Sequence, residues 1–203
     1  MKPFMDRDFL LSTPAARTLY HDYAEGMPII DYHCHLSPRE IAEDKRFADL
    51  AEVWLGGDHY KWRLMRACGE PEALITGSGA PYEKFLAFVR TLQRCPGNPV
   101  SQWAHLELRR YFDCERVLNE KNALEIWERC NAILAGGLTA REMIRRANVT
   151  DLMTTDDPLD DLSEHEKIAA DASFSTHVYP AWRPDRALAI EKHDFADYIA
   201  RLG

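Results

Sequence analysis

Hydrophobic residues recur along much of this chain at a spacing of three or four positions. Phe85, Phe88, Val89 and Leu92 show this spacing, which places apolar side chains on one face of an α-helix. The predicted helical segments are 14–23, a short helix opening at 37, then 49–55, 58–68, 82–93, 99–112, 122–134 and 139–147. A helical block is therefore expected from about residue 47 to residue 147.

Three short apolar segments have a different character, because each ends in a cluster of polar residues. The segments 29–33, 149–155 and 178–182 are predicted strands. Helices are predicted over 160–170 and 186–202, so strand and helix alternate near the end of the chain. This alternation predicts a parallel sheet with crossover helices.

The order of these elements predicts an α/β fold, the N-terminal part of a (β/α)8 TIM barrel. The chain would supply the first three βα units, with a large all-helical insertion after the first strand. The predicted domains are the N-terminal helix with the first barrel unit at 1–46, the helical insertion at 47–138, and the second and third barrel units at 139–203. A closed barrel takes about 250 residues, so the remaining units are expected to be absent from this chain of 203 residues.

Composition and charge narrow the classes of function. The formal net charge is −8, so an extended nucleic-acid-binding surface is not expected. No apolar run is long enough to span a bilayer, and the first residues lack the apolar core of a signal peptide. Five cysteines at wide spacings argue against a disulfide scaffold. We therefore expect a cytoplasmic globular protein with no membrane or nucleic-acid partner.

The first predicted strand runs into His33-Cys34-His35. Residues i and i+2 of a strand share a face, so both imidazoles are expected to point the same way and to hold one cation. Imidazole suits zinc, iron, copper and nickel, so the spacing does not name the metal. The alternative is a pair of histidines that hydrogen-bond locally in a turn. A catalytic zinc site normally has three protein ligands, and only Asp156 or Asp157 offers a third.

The other two predicted strands also end in polar residues. The second ends at Asp156-Asp157-Pro158 and the third at Trp182-Arg183. The carboxyl ends of parallel barrel strands share one rim, where active sites form. Arg183 can hold a carboxylate through two parallel hydrogen bonds, or it can be a surface arginine before a helix. The aspartates taken alone are more typical of a cap and turn.

His59-Tyr60 is a further candidate, at a helix start that follows Gly56-Gly57. Histidine and tyrosine can both transfer protons, and a glycine pair permits close approach of the backbone. The alternative is an ordinary amphipathic helix start with Tyr60 half-buried. These residues taken alone favour that alternative.

Five segments, in a fixed order, carry a resemblance to a known family. They are Met27–Leu36, Trp54–Arg63, Leu106–Phe112, Thr154–Pro158 and Trp182–Asp185. Together they resemble the N-terminal portion of the uronate isomerase (glucuronate isomerase) family, in the amidohydrolase superfamily. The likeness covers essentially the whole chain. It implies a (β/α)8 barrel and an aldose–ketose isomerase that converts D-glucuronate to D-fructuronate and D-galacturonate to D-tagaturonate in hexuronate catabolism.

The resemblance also implies catalytic roles for residues of this chain. His33 and His35 resemble the family's metal-binding pair, for a divalent metal that we expect to be zinc. Tyr60 resembles a tyrosine near the substrate hydroxyls that helps to move protons. His59, beside it, is a second catalytic candidate.

Substrate binding and assembly follow from the same resemblance. Arg183 resembles an arginine that holds the hexuronate carboxylate, and Trp182 precedes it as a second substrate-binding candidate. The family also uses a histidine on a mid-barrel strand and an Asp-X-Arg segment at the last strand, neither of which this chain contains. We therefore expect the chain alone to be inactive and the full-length protein to be a homo-oligomer.

Two other functions stay open at this stage. One is a metal-dependent hydrolase of the same superfamily that acts on an amide or ester. The other is a non-catalytic, helix-rich fragment. The helical insertion with His59-Tyr60 and the Trp182-Arg183 segment favour the isomerase.

Overall fold

A computed structural model describes residues 4–203, which divide into two compact units. Among these residues, the helical unit comprises 4–26 and Arg46–Thr139, and the sheet unit comprises Met27–Lys45 and Ala140–Gly203. The predicted domains instead join the N-terminal helix to the first barrel unit. In the structure the N-terminal segment packs on the helical unit, where Arg109 Nη1 donates to the carbonyl of Met5 at 3.0 Å.

The elements follow one another in the predicted order along most of the chain. The helices are α1 (Pro14–Thr18), α2 (Pro38–Ala42), α3 (Leu50–Leu55), α4 (His59–Ala67), α5 (Pro81–Arg94), α6 (Pro99–Phe112), α7 (Ala123–Ala135), α8 (Ala140–Arg146), α9 (Ser163–Ala170), α10 (Asp185–Leu188) and α11 (Phe195–Leu202). The strands are β1 (Ile29–Asp31), β2 (Val149–Asp156) and β3 (His177–Trp182). The helices from α3 to α8 begin and end within about one residue of the predicted bounds.

The helical unit forms because amphipathic helices bury aromatic side chains against one another. Trp54 of α3 is buried, with its ring centroid 6.0 Å from that of Phe85 and 5.5 Å from that of Phe88, both on α5. Caps fix the helix starts. Asn98 accepts from the amide of Val100 at 2.9 Å, at the start of α6. Asp58 caps the start of α4, the helix that carries two of the candidate residues.

The sheet unit contains a three-stranded parallel sheet in the order β1-β2-β3, which confirms the predicted α/β class. In the register, Asp31 lies beside Leu152 and Asp156 beside Trp182. One face of the sheet packs on helices. The core of this unit consists of Cys34, Ile41, Ile144, Leu152, Ile168 and Phe174. All three strands therefore end on the same side of the unit.

A buried arginine ties the helices of the sheet unit together. Arg141 of α8 donates from Nε to the carbonyl of Ile41 at 2.7 Å and from Nη2 to that of Ala42 at 3.0 Å. It also forms an ion pair with Asp171, and its guanidinium lies 4.8 Å from the centre of the Phe174 ring. The residues that end α2 are thus held against the start of α8.

Four predicted elements differ in the structure. The helix predicted over 14–23 is α1 followed by a π-helix over Leu19–Ala24, and the helix predicted from residue 160 begins at Ser163. The first strand ends at Asp31 rather than at residue 33, because the chain bends at 32–33 before it contacts β2 again. The predicted helix over 186–202 is two helices, α10 and α11. Ala189 leaves helical geometry after α10, and Arg186 donates to the Asp194 carboxylate at 3.1 Å across the break.

Two further observations concern the apolar character of the helices and the state of the cysteines. Within residues 4–203, none of the helices combines the length and the apolar character that a bilayer crossing requires. All five cysteines are free thiols. Cys34, Cys114 and Cys130 are buried, whereas Cys68 and Cys95 are partly exposed.

Candidate active site

His33 and His35 lie in the loop that follows β1. Both backbone polar groups of Cys34, the residue between them, are hydrogen-bonded to β2. The Cys34 amide donates to the Met153 carbonyl at 2.9 Å, and the Thr155 hydroxyl donates to the Cys34 carbonyl at 2.8 Å. The Cys34 side chain is buried in the core of the sheet unit, while both histidines are exposed. The anchored cysteine thus turns its two neighbours outward.

The two imidazoles converge on each other. Their Nε2 atoms are 3.2 Å apart, and the ring centroids are 5.1 Å apart with the rings at 78°. Two imidazole nitrogens that bind one tetrahedral zinc at about 2.0–2.1 Å lie roughly 3.3–3.4 Å apart. The separation in this chain therefore fits two ligands of a single cation. Without a cation, the same separation fits one ring donating a hydrogen bond to the other.

A third protein ligand is not present among residues 4–203, where no group of three metal-binding side chains occurs. The sequence offers Asp156 or Asp157 for this position, and both are engaged elsewhere. Asp156 accepts hydrogen bonds from the Thr154 hydroxyl at 2.7 Å and the Ala181 amide at 3.2 Å. Asp157 accepts from the Tyr198 hydroxyl at 3.0 Å. Neither carboxylate joins the histidine pair in this structure.

Trp182 and Arg183 lie at the end of β3. Trp182 is 70% exposed, and the Arg183 amide donates to the Asp156 carbonyl at 3.0 Å, which extends the pairing with β2. The Arg183 guanidinium uses Nε in an ion pair with Asp185 and remains half exposed. The parallel register thus places Arg183 and the histidine pair at the same end of the sheet.

His59 and Tyr60 lie in the helical unit, at the start of α4. The N-cap Asp58 accepts hydrogen bonds from the amides of Tyr60 at 2.9 Å and Lys61 at 3.2 Å. The His59 and Tyr60 rings stack at 4.4 Å, and Tyr60 is 57% exposed. Gly56 allows the preceding turn, since a β-carbon there would lie 2.5 Å from the Glu52 carbonyl oxygen.

Lys61 and Glu107 are two residues beside this helix start that the sequence reasoning missed. Lys61 is buried, with its Nζ 3.5 Å from Asp58, 3.6 Å from Glu107 and 5.7 Å from the Trp54 ring centre. Desolvation raises the pKa of Glu107, and the charge of Lys61 opposes that shift. Spacing gives a signal for Lys61, because it lies four residues before the buried Met65 on the apolar face of α4.

A second buried polar group lies under the strand ends, on the helix-covered face. The Thr154 hydroxyl contacts Asp156 at 2.7 Å and His165 Nε2 at 2.8 Å, and all three side chains are buried. His165 lies on α9. Its hydrogen bond to a buried threonine supports a structural role. This network fixes the Asp156 end of β2, to which the Arg183 amide is bonded.

The sequence comparisons agree with one another over the whole chain. A family model described as glucuronate isomerase matches residues 1–203. The uronate isomerase of Clostridium acetobutylicum is 54% identical over 202 residues, and that of Geobacillus thermodenitrificans is 54% identical over 204 residues. Each alignment covers 100% of this chain but only 43% and 44% of the respective relative. The chain thus spans less than half the length of the curated relatives it matches.

Solved structures that resemble this chain are also uronate or glucuronate isomerases. The uronate isomerase of Thermotoga maritima superposes with a TM-score of 0.92 at 39% identity, and covers 98% of this chain. The glucuronate isomerase of Caulobacter crescentus superposes with a TM-score of 0.85 at 26% identity. This chain corresponds to 44% of each of those chains.

Proposed function

Because this chain belongs to the glucuronate isomerase family, we propose that it supplies one part of the active site of an aldose–ketose isomerase. The proposed reactions interconvert D-glucuronate with D-fructuronate and D-galacturonate with D-tagaturonate, in the cytoplasm. The observation that carries the proposal is the convergence of His33 and His35, 3.2 Å apart, at the sheet end where Arg183 also lies.

The histidine pair would hold a divalent metal, expected to be zinc. A converged pair of imidazole nitrogens fits two ligand positions of such an ion. When bound, the metal would supply Lewis-acid stabilisation of negative charge on a substrate oxygen. The remaining ligands are proposed to come from protein outside this chain, since residues 4–203 hold no group of three.

Arg183 is proposed to bind the substrate carboxylate. Its ion pair with Asp185 engages Nε, and a guanidinium has two further amino groups with which it can hold a carboxylate. Trp182, exposed beside it, would cover the apolar side of the sugar acid. Binding at the carboxylate end orients the sugar so that C1 and C2 lie at the reacting groups.

Tyr60 is proposed to move a proton on and off a substrate oxygen. Isomerisation transfers a proton between C2 and C1 and shifts the carbonyl, which requires proton transfer at oxygen as well as at carbon. The stacked ring of His59 limits the orientations of Tyr60, and the Asp58 cap fixes the backbone that carries both. His59 would thus support Tyr60 or share its proton transfer.

For the whole protein we propose a closed (β/α)8 barrel, of which this chain supplies the first three βα units. Two large side chains on β1 and β3 support this, because Ile30 and Tyr179 are 62% and 45% exposed. Parallel sheets normally have both faces covered. We propose that further barrel strands cover these side chains and that the full-length protein is a homo-oligomer.

The test uses the product of the complete reading frame that contains this chain. We expect it to convert D-glucuronate to the ketose, and we expect the 203-residue chain alone to show no conversion. Turnover of an ester or lactam panel without isomerisation would instead support a hydrolase. Clear conversion by the chain alone would contradict the division of the site.

Variants of the complete product separate the proposed roles. His33→Ala should lower metal content and turnover together, whereas His177→Ala, at an exposed histidine of β3, should leave both unchanged. Arg183→Met should lower kcat/KM by about 100-fold, the loss expected for a charge-assisted pair with a carboxylate. Arg186→Met is the matched control. Metal content that stays unchanged in His33→Ala would remove His33 from the ligand set.

A further inference from the structure

Two thiols meet where α4 and α5 end. The sulfur atoms of Cys68 and Cys95 are 3.5 Å apart, and the two residues are 27 positions apart in sequence. Each is the C-cap of its helix, and each is partly exposed. We propose that Cys68 and Cys95 form a redox-active dithiol, which a low-molecular-weight disulfide of the glutathione type converts to an intramolecular disulfide.

The approach of the two sulfurs is fixed by contacts that do not involve sulfur. Arg94 Nη1 donates to the Cys68 carbonyl at 2.7 Å and so joins the two helix ends directly. Arg90, also on α5, donates to both carboxylate oxygens of Glu70, at 3.2 and 2.8 Å. Glu70 follows Cys68 by two residues and is 9% exposed. The charged contacts therefore hold the thiols together in the reduced protein.

Closing the bond requires only a local movement. A disulfide has a sulfur–sulfur distance of about 2.05 Å, so the sulfurs must approach by roughly 1.5 Å. Cys95 has already left helical geometry, with φ −125° and ψ 51°, and Pro96-Gly97 follow it. The end of α5 can therefore shift toward Cys68 without unwinding a helical turn.

The exchange requires no reactant other than the two cysteines and one small disulfide. One cysteine thiolate attacks a sulfur of the small disulfide, a mixed disulfide forms, and one small thiolate leaves. The second cysteine thiolate then attacks the protein sulfur of the mixed disulfide and releases the other small thiolate. The two protons lost by the cysteines pass to the two released small thiolates, which become thiols. The protein is oxidised by two electrons, and the small disulfide is reduced by two.

The environment of each thiol sets which cysteines react. Burial, followed by the contact with Cys95, raises the pKa of Cys68, so the exchange should quicken as the pH rises and the thiolate forms. Burial raises the pKa of Cys130 to about 12, which keeps that thiol protonated and unreactive. The Cys68–Cys95 pair should therefore be oxidised before the buried cysteines.

The experiment incubates the reduced 203-residue chain with oxidised glutathione at mildly alkaline pH. After acid quenching and alkylation, the chain is digested without reduction and analysed by mass spectrometry. We expect a single dominant crosslink between Cys68 and Cys95, reversed by dithiothreitol, and a melting temperature several degrees higher for the oxidised chain. Cys68→Ser and Cys95→Ser should each abolish the crosslink, and Cys130→Ala should retain it.

A parallel reaction in urea tests whether the folded structure selects the pair. Unfolding removes the 3.5 Å contact, so a mixture of pairings is expected there. The proposal is overturned if native protein forms only mixed disulfides with glutathione or pairs other cysteines preferentially. It is equally overturned if the unfolded chain gives the same selective crosslink, since the folded geometry would then play no part.

Discussion

Replacement of Arg141 by methionine tests how the sheet unit is held together. Methionine keeps the apolar stem of the side chain but removes the guanidinium. That group donates to the carbonyls of Ile41 and Ala42, at 2.7 and 3.0 Å. These residues end α2, where the helix offers their carbonyls no amide four residues later. We expect Arg141→Met to lower the free energy of unfolding.

The expected loss of unfolding free energy follows from the two hydrogen bonds to these carbonyls. A hydrogen bond that involves a charged group contributes about 1.5–3 kcal/mol. Two such bonds predict a loss of roughly 3 kcal/mol, because Arg141 is 5% exposed and water replaces little of what is lost. The ion pair with Asp171 adds a smaller contribution, because that carboxylate is partly exposed to solvent. A loss of this size is a large part of a stability of about 5–15 kcal/mol.

Urea unfolding followed by circular dichroism measures the change as a lower midpoint at an unchanged slope. Arg146→Met is the matched control, on the same helix, because Arg146 is exposed and pairs with Glu142 at 2.9 Å. The control should lose less than about 1 kcal/mol. Equal losses in the two variants would refute the argument that Arg141 acts through the carbonyls of α2.

The ion pair adds a pH signature to the same comparison. The guanidinium of Arg141 holds the pKa of Asp171 well below its usual range. Because the folded pKa is depressed, this contribution is fully present above the unfolded pKa of about 3.9 and is lost as the pH falls through the folded value. The difference between wild type and Arg141→Met should therefore shrink below about pH 4. A difference that stays constant with pH would exclude a contribution from the ion pair.

Three further outcomes follow from the helical unit. Phe88→Ala should cost about 3–4 kcal/mol of unfolding free energy through a cavity beside Trp54, against little change for the exposed Trp103→Ala. Asp58→Ala should cost about 1 kcal/mol through loss of the α4 cap, with Asp58→Asn retaining most of it. Burial lowers the pKa of His105, whose Nε2 accepts from a backbone amide, so stability should fall as the pH drops below about 6.5. An imidazole NMR titration of His105 with an unshifted midpoint would contradict the last expectation.

Most helix boundaries could be predicted because their signals are local. The sequence predicts α6 as residues 99–112, and the structure has Pro99–Phe112. Asn98 caps its start, proline occupies the first helical position, and Asp113 ends it with a φ of +48°. Each of these signals lies within a few residues of the boundary, so no knowledge of tertiary contacts is needed.

The break between α10 and α11 could not be predicted in the same way. No proline or glycine occurs between Leu188 and Phe195, so nothing local marks the end of a helix. The Arg186–Asp194 ion pair, 3.1 Å long, spans the break. The buried Tyr198, whose hydroxyl donates to Asp157, fixes the orientation of α11. Tertiary contacts of this kind decide whether the segment forms one helix or two. They do not change the spacing of apolar residues from which a helix is predicted.

The histidine pair shows that two side chains can converge as expected although the local backbone structure differs from the predicted one. The spacing predicts that His33 and His35 share a face of a strand, and their Nε2 atoms do converge. The strand, however, ends at Asp31, and the pair lies in a loop. The Cys34 backbone is hydrogen-bonded to β2 and its side chain is buried in the core. The side chains on either side of it therefore point away from the core, as they would in a strand. His33 and His35 therefore point to the same side, as residues two apart in a strand do, although they lie beyond the end of β1.

The candidate residues of the two units have separate structural supports. The histidine pair depends on the Cys34 anchor to β2, whereas Tyr60 depends on the Asp58 cap and the buried Lys61. A change to one support should therefore leave the other group in place. Asp58→Ala in the complete product should therefore leave its metal content unchanged. Loss of metal in that variant would show that the two supports are coupled in the assembled enzyme.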